Sequence, residues 1–243
     1  MKDILQDIVA HTHSLGFLPL AKVYGDGKET TIESMADDRS VIMTAKTKAP
    51  INEFVGTFGM PNLDKLAMHL KNPEYKENAV IQVVTQERNG EDVPVNLHFE
   101  NQTGDYSNDY RFMSTEVINE KLKTVKFKGA TWDIEFEPHQ AAISRLKLQA
   151  QVHTEESNFQ VRTENNNLVF AFGDASTHAG SFVFEPGVSK KLKQNWAWPV
   201  SQVQAILNLD GDKTMKIADA GAMMITIDSG MAEYEYILPA QSK

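Results

Sequence analysis

The chain of 243 residues has 41% hydrophobic and 23% charged residues, a composition typical of a folded protein with one sizeable core or two smaller ones. It contains no cysteine, which excludes disulfides, thiolate zinc sites and cysteine nucleophiles. Its net charge of −9 argues against general nucleic-acid binding. Any role on DNA would therefore depend on where the positive charges are placed.

The N-terminal segment carries acidic residues and lacks the long apolar core of a signal peptide. No run of the sequence approaches the roughly 20 apolar residues that a membrane helix requires. We therefore expect a cytoplasmic protein, in the cytoplasm of the host cell if the protein is viral, with no membrane partner.

Residues 3–15 are predicted to form an amphipathic helix that stops at Gly16. Its apolar stripe contains Ile4, Ile8 and Leu15. Its polar face is predicted to carry Asp3, Gln6, Asp7 and His13. Strands are then predicted over 17–25, 30–35 and 40–47, separated by Gly- and Asp-rich turns.

A second helix is predicted over 61–71, with Pro61 in its first turn. Its apolar stripe contains Leu63, Leu66, Ala67 and Leu70. Lys65 and Lys71 lie off this stripe. Strands are predicted after it over 79–87, 94–101 and 110–114, separated by Asn-Gly and Thr-Gly-Asp turns.

Residues 115–129, TEVINEKLKTVKFKG, interrupt this pattern because lysines alternate with large apolar residues. We interpret this segment as an extended, exposed connector between two domains. The domains are predicted at 1–114 and 130–243.

The second half begins with a strand over 130–138 and a helix over 139–151. The helix has Ile143, Leu146 and Ala150 on its apolar stripe, flanked by Arg145 and Lys147. Four strands follow, then a short helix over 200–209 and three strands that alternate well enough to form an antiparallel meander. Both halves thus share an order of helix, strands, helix and three strands, which indicates an internal structural duplication.

This order, together with three local patterns, resembles the DNA sliding clamps of the proliferating-cell-nuclear-antigen type and, more closely, those of tailed bacteriophages. The patterns are WDIEFEP with HQAAISRLKLQAQ, then FQVRTENNNLVFAFGDASTHAGSFVF, and finally NWAWPVSQVQAILNL through GAMMITIDSGMAEYEYILPA. The resemblance covers residues 130–240 in detail and residues 1–113 by element order.

The resemblance implies an α+β fold of two similar clamp-type domains, each with antiparallel sheets outside and two short amphipathic helices lining a ring. With two domains in each chain, three chains would complete a ring of six domains, a homotrimer. Such a processivity factor would encircle duplex DNA without sequence preference, tether a DNA polymerase in replication and be opened by a clamp loader. It would be no enzyme and would need no cofactor.

Retention by encirclement requires only weak phosphate contacts from scattered basic residues. The predicted DNA-binding residues are Lys65, Lys71, Arg145, Lys147, Lys190, Lys191 and Lys193. Asp3 and Asp7 would repel phosphate if the polar face of the first helix lined the hole.

In this family, replication factors dock a short peptide between the connector and the segment after the last strand. The corresponding residues here are Val117, Ile118, Leu122, Val125 and Phe127 in the connector, and Ile237, Leu238 and Pro239 near the C-terminus. Apolar residues in a connector would be poorly matched to water unless they pack on the body or receive a partner.

No motif indicates catalysis or a metal site. His11 and His13 would point to different faces of a helix, and Asp210-Gly211-Asp212 lacks the remaining ligands of a calcium loop. Gly173-Asp174-Ala175-Ser176 is not a nucleophile elbow. Two alternatives stay open: a β-rich tail or capsid accessory protein of a phage or bacterium with no DNA role, and a small-ligand-binding β domain.

Overall fold

The computed structural model describes residues 1–88, 90–123, 127, 129–174, 176 and 178–241. The chain divides into two compact units. Unit 1 comprises Met1–Val125 and Ser229–Tyr234, and unit 2 comprises Lys126–Asp228 and Glu235–Lys243. Among the described residues, no helix has the length and apolar character that crossing a membrane would require.

The described residues of unit 1 form three helices and seven strands, with short 3-10 turns at His13–Leu15 and Pro73–Tyr75. They are α1 (Lys2–His11), β1 (Ala21–Gly25), β2 (Thr30–Met35), β3 (Ile42–Thr47), β4 (Gly56–Met60), α2 (Leu63–Lys71), β5 (Val80–Arg88), β6 (Glu91–Glu100), β7 (Ser107–Arg111) and α3 (Thr115–Lys121).

The remaining elements belong to unit 2, except that the first residues of the last strand, Ala232–Tyr234, belong to unit 1. They are β8 (Ile134–Phe136), α4 (Gln140–Val152), β9 (Asn158–Glu164), β10 (Asn167–Phe172), β11 (Gly180–Pro186), β12 (Trp196–Pro199), α5 (Val200–Leu207), β13 (Asp212–Ala218), β14 (Ala222–Asp228) and β15 (Ala232–Pro239).

The two units repeat one topology. In unit 1, four antiparallel strands are ordered β4-β1-β2-β3, and a separate three-stranded sheet is ordered β5-β6-β7. In unit 2, the matching strands β12-β9-β10-β11 form a four-stranded sheet, and β13-β14-β15 match β5-β6-β7. Each unit therefore contains a helix, four strands, a helix and three strands, which confirms the predicted order and the predicted α+β class.

The repeats differ in the pairing of one strand. In unit 2, β8 pairs with β13 as an additional antiparallel strand, with Ile134 opposite Ile217 and Phe136 opposite Met215. In unit 1, no described strand pairs with the outer side of β5, the strand that matches β13. The three-stranded sheet of unit 1 therefore has an open edge at a position that unit 2 fills.

The strand β4 was not predicted, because GTFGM has low strand propensity and its register depends on β1. Its glycine at position 59 has a packing role. A Cβ added to Gly59 would lie 2.8 Å from Cδ1 of Ile118, so only glycine allows α3 to pack this closely on the strand.

The prediction that residues 115–129 are extended is wrong over Thr115–Lys121, which form α3. Ile118 is fully buried on β4, and the Thr115 hydroxyl donates a hydrogen bond to the Thr57 carbonyl at 2.6 Å. These tertiary contacts stabilise a helix of seven residues that would be marginal by itself.

Candidate nucleic-acid interface and partner surfaces

The second helix, α2, has the predicted amphipathic pattern. Its buried residues are Leu63, Leu66, Ala67 and Leu70. Lys65 and Lys71 are exposed on the opposite side. Both ammonium groups can therefore reach an anion in solvent while the helix packs on α1.

The helix α4 contains no acidic residue. It buries Ala142, Ile143 and Leu146, whereas Arg145 and Lys147 are exposed. The predicted stripe is confirmed at Ile143 and Leu146, while Ala150 is only half-buried. The outer face of α4 thus presents two cations with no anion on the same helix.

The predicted orientation of Asp7 on α1 is wrong. Its carboxylate is nearly buried and accepts hydrogen bonds from the Tyr234 hydroxyl at 2.8 Å and the Ser229 hydroxyl at 2.9 Å. The His11 ring stacks on Tyr234 with centroids 4.0 Å apart, and its Nδ1 lies 3.3 Å from Asp7 Oδ1. Of the two acids predicted to repel phosphate, only Asp3 faces solvent.

This environment also controls the protonation of Asp7. Burial alone would raise its pKa, but the hydrogen bond and charge of His11, with the bonds from Tyr234 and Ser229, outweigh burial and leave the pKa below its ordinary value. Asp7 therefore stays ionised and tied to residues 229–234 within unit 1.

Positive charge is concentrated on α1, α2, α4 and α5, whereas α3 carries two glutamates and one lysine. Within α1, α2, α4 and α5, five basic residues stand against three acidic ones, Asp3, Asp7 and Asp64. These helices therefore carry a net charge of +2 in a chain of net charge −9. The acidic character of the chain as a whole therefore does not extend to these four helices.

The three other predicted DNA-binding lysines, Lys190, Lys191 and Lys193, lie in the segment between β11 and β12 and are exposed. Lys190 Nζ is 3.7 Å from Asp133 Oδ1, and the Lys193 backbone N–H donates to Asp219 at 2.7 Å. These acids offset part of the positive charge, so this segment is a weaker candidate than α2 and α4.

The predicted partner-binding residues differ in their accessibility. Val117 on α3 is 41% exposed, and Phe127 is 36% exposed with its ring stacked on Trp132 at 6.0 Å. Ile118 and Leu122 are buried within unit 1. Val125 lies outside the described residues.

Near the C-terminus, the expectation that Ile237, Leu238 and Pro239 lie beyond the last strand is wrong, because β15 continues to Pro239. Ile237 and Leu238 are buried, and the Leu238 carbonyl accepts a hydrogen bond from Trp198 Nε1 at 3.0 Å. Pro239 is exposed. Of these three side chains, only that of Pro239 is freely available to a partner.

A polar recess of about 200 Å³ lies in unit 2 close to this end of the chain. Its walls include Asn158, Gln160, Ala197 and Gln241. The Gln241 N–H donates to the Ala197 carbonyl at 2.9 Å, which holds the last described residue against β12. The amide side chains can bond a polar group of a bound peptide. Sequence reasoning missed this recess because it depends on residues distant along the chain.

Sequence reasoning also missed a set of exposed apolar side chains. On unit 1 they are Met68 on α2, 68% exposed, and Tyr106 before β7, 42% exposed. On unit 2 they are Leu148 and Val152 on α4, 61% and 71% exposed, and Val183 on β11. A signal in the sequence could have identified them, because these apolar residues lie off the buried stripes of their helices. Leu148 and Val152, for example, are four residues apart and therefore share one face of α4.

These features define a clamp fold: each unit has a pair of packed helices and antiparallel sheets in the same order. Solved clamps match the whole chain. The PCNA of Thermococcus kodakaraensis aligns with a TM-score of 0.67 at 11% identity, covering 99% of this chain and 97% of that one. The PCNA of A. fulgidus, solved with the C-terminal region of FEN-1 bound, gives a TM-score of 0.66 at 11% identity, covering 100% and 95%.

The proliferating cellular nuclear antigen of Entamoeba histolytica aligns with a TM-score of 0.66 at 9% identity, covering 99% of this chain and 94% of that one. No family model and no curated protein matches the sequence. The chain therefore has the two-domain fold of PCNA-type sliding clamps, recognised at the level of structure.

Proposed function

We propose that this chain is the subunit of a sliding clamp that encircles duplex DNA and tethers a DNA polymerase. The observation that carries the proposal is the match of the whole chain, in both units, to PCNA clamps. The protein would act as a scaffold without catalysis. The resemblance of residues 130–240 to phage clamps favours a viral origin, in tailed bacteriophages.

In the proposed clamp, α2 and α4 present Lys65, Lys71, Arg145 and Lys147 to the DNA backbone. These side chains are exposed, and within the described part of the chain no ion pair neutralises them. Because a closed ring retains DNA by topology, a few phosphate contacts are sufficient, and weak contacts permit sliding. A clamp loader would be needed to open the ring.

We propose that the ring closes by joining β7 of one copy to β11 of the next. Both are edge strands of their sheets, and unpaired edges favour strand addition. Exposed apolar side chains accompany each edge: Met68 and Tyr106 near β7, Leu148 and Val152 on α4, which packs beside β11. Since the two surfaces differ, the contact is heterologous, and three copies close a ring of six units.

A recess of about 580 Å³ supports this pairing. It lies in unit 1 at the C-terminal end of α2, where Met68, His69 and Tyr106 line it together with Lys65, Lys71, Asn72, Pro73 and Asn108. A leucine-sized side chain such as Leu148 of the neighbouring copy would bury its apolar surface there.

For partner docking, we propose the accessible members of the predicted set in unit 2, Phe127 and Pro239, with the recess beside Gln241. On unit 1, Val117 is the accessible member of the set. The A. fulgidus PCNA was solved with the C-terminal region of FEN-1, so a clamp of this fold receives a peptide. An apolar anchor with a few hydrogen bonds would give micromolar affinity, of order −8 kcal/mol. Within unit 2, the buried Ile237 and Leu238 would support this surface from below.

Replacing Phe127 and Pro239 by aspartate is expected to abolish polymerase stimulation and leave assembly and DNA loading unchanged, because both side chains are exposed. The measurement is the length of DNA made in one binding event. Leu238→Ala is unsuitable as the primary test, since removing a fully buried leucine side chain costs about 2–5 kcal/mol of stability. Tyr24→Asp, at a side chain of similar exposure, is the control. Unchanged processive synthesis by the double variant would place the docking site elsewhere.

The proposed function itself predicts topological retention. The free protein should bind short linear duplex weakly, because it is acidic and closed, but should persist on circular DNA after loading. When the circle is cut, the protein should slide to a DNA end and dissociate there. Gel filtration of the protein–DNA mixture before and after restriction cleavage measures both states. Retention that is unaffected by cleavage would contradict encirclement.

A further inference from the structure

The open edge of β5 is the clearest departure from the internal symmetry of the fold. In unit 2, the equivalent strand β13 is covered by β8. The backbone bonds of Val80–Arg88 within the described residues go to β6 alone, so alternate N–H and C=O groups along the outer side face solvent.

The neighbouring edge strand β4 does not compete for the same role. Its outer side is already used: Thr57 accepts the Thr115 hydroxyl, and Gly59 exchanges two backbone hydrogen bonds with Met113, at 3.1 and 2.8 Å. Of the two edge strands β4 and β5, β5 is therefore the one whose outer backbone groups can bond another strand.

A groove of about 810 Å³ lies beside the β5 edge. Its apolar wall consists of Val83, Val93 and Val55, the last 46% exposed. Its charged lining residues are Glu53 and Asp92, and no basic residue lines it. The groove therefore offers apolar surface together with negative charge.

The strand β8 shows what such an edge accepts in this fold. Ile134 is buried and Phe136 packs edge-on to Phe184, with ring centroids 5.9 Å apart. Between them Glu135 binds Lys216 of β13 at 3.0 Å. An apolar–charged–apolar segment thus fills the edge, and its charge is opposite to that of the strand it joins.

We propose that the outer edge of β5 accepts an extended segment of a partner protein, with apolar residues alternating with lysine or arginine. The segment would join the sheet of unit 1 as β8 joins that of unit 2. Its apolar side chains would contact Val55, Val83 and Val93, and its basic residues would pair with Glu53 and Asp92. Since β5 and β7 are opposite edges of one sheet, the site stays free in the assembled ring.

The test uses a fluorescein-labelled peptide, Trp-Lys-Ile-Lys-Phe-Lys, in which the acids of the segment 132–137 around β8 are replaced by lysine. Anisotropy at 0.15 M salt is expected to show saturable binding, and the acidic peptide Trp-Asp-Ile-Glu-Phe-Glu should not bind. Glu53→Lys with Asp92→Lys should weaken binding about tenfold or more. Both side chains are exposed, so the variant is expected to fold.

General attraction between a cationic peptide and an acidic protein is controlled by Glu155→Lys with Glu233→Lys, which changes the net charge equally at exposed positions. This control should bind the peptide as the parent does. Hydrogen exchange should show peptide-dependent protection of alternate amides in Val80–Arg88. Equal weakening in both double variants, or protection elsewhere, would overturn the proposal. Protection that rises with protein concentration without peptide would instead identify a second copy as the occupant and also overturn it.

Discussion

Replacing Leu148 and Val152 together by aspartate is expected to convert the assembled protein into monomers. Light scattering on a sizing column should give about three times the 27.2 kDa chain mass for the parent and 27.2 kDa for the variant. Leu148 and Val152 are 61% and 71% exposed in the single chain, so aspartate at either position is solvated there. In the proposed contact between copies, the same carboxylates would be buried. A buried, unpaired carboxylate costs several kcal/mol, and about 3 kcal/mol lowers association roughly a hundredfold.

The control for this variant is Tyr24→Asp with Met231→Asp, at exposed apolar side chains outside the proposed interface. It should remain assembled and stay on circular DNA, whereas the α4 variant should lose both properties and keep its melting temperature as a monomer. A parent protein that is monomeric at high concentration would remove the main support for the clamp. An α4 variant that stays trimeric would leave the clamp possible but place its interface elsewhere.

Reversing the charge of Lys65, Arg145 and Lys147 together is expected to reduce loading and processivity severely without unfolding the protein. The change replaces three cations by three anions in every subunit, opposite DNA phosphates in the proposed ring. Each lost phosphate contact removes about 0.9 from the slope of log affinity against log salt, so the salt dependence of DNA binding by the variant should be shallower than that of the parent. The measurements are product length, loading on nicked circles and thermal melting. Because Lys65 also lines the recess proposed for the contact between copies, light scattering must show that the variant is still a trimer.

A second triple variant, Lys28→Glu with Lys76→Glu and Lys121→Glu, separates position from net charge. These lysines are exposed and lie outside α2 and α4, and their reversal makes the chain equally acidic. The control should retain most of the processivity. If both triple variants lose function equally, the acidic charge as a whole is responsible. If the helix variant is fully processive, the face assigned to DNA is wrong.

The amphipathic helices and the repeated element order could be predicted from the sequence. In α2, the spacing of Leu63, Leu66, Ala67 and Leu70 matches the helical period, and all four are buried. The meander from β13 to β15 follows from alternation between Gly-containing turns. Such features depend on neighbouring residues, so local periodicity and turn chemistry are sufficient to predict them.

Other features depend on contacts between distant residues. Asp7 has the spacing of a polar-face residue, yet Tyr234 and Ser229, more than 200 positions away, bury it by hydrogen bonding. The segment 115–121 has the composition of an exposed linker. It nevertheless folds as a helix, because Gly59 on β4 leaves room for the side chain of Ile118 to pack there.

The composition and patterns of this chain therefore determined that it folds as two repeats of an α+β unit, because the spacing of apolar residues along each segment matches the period of a helix or a strand. Only the tertiary structure decided which polar residues turn inward, which apolar residues stay outside the core and which strand edges remain unpaired. An edge is open only when no other segment reaches it. Val80–Arg88 of β5 and Asp212–Ala218 of β13 are equivalent in topology, and β8 covers only β13.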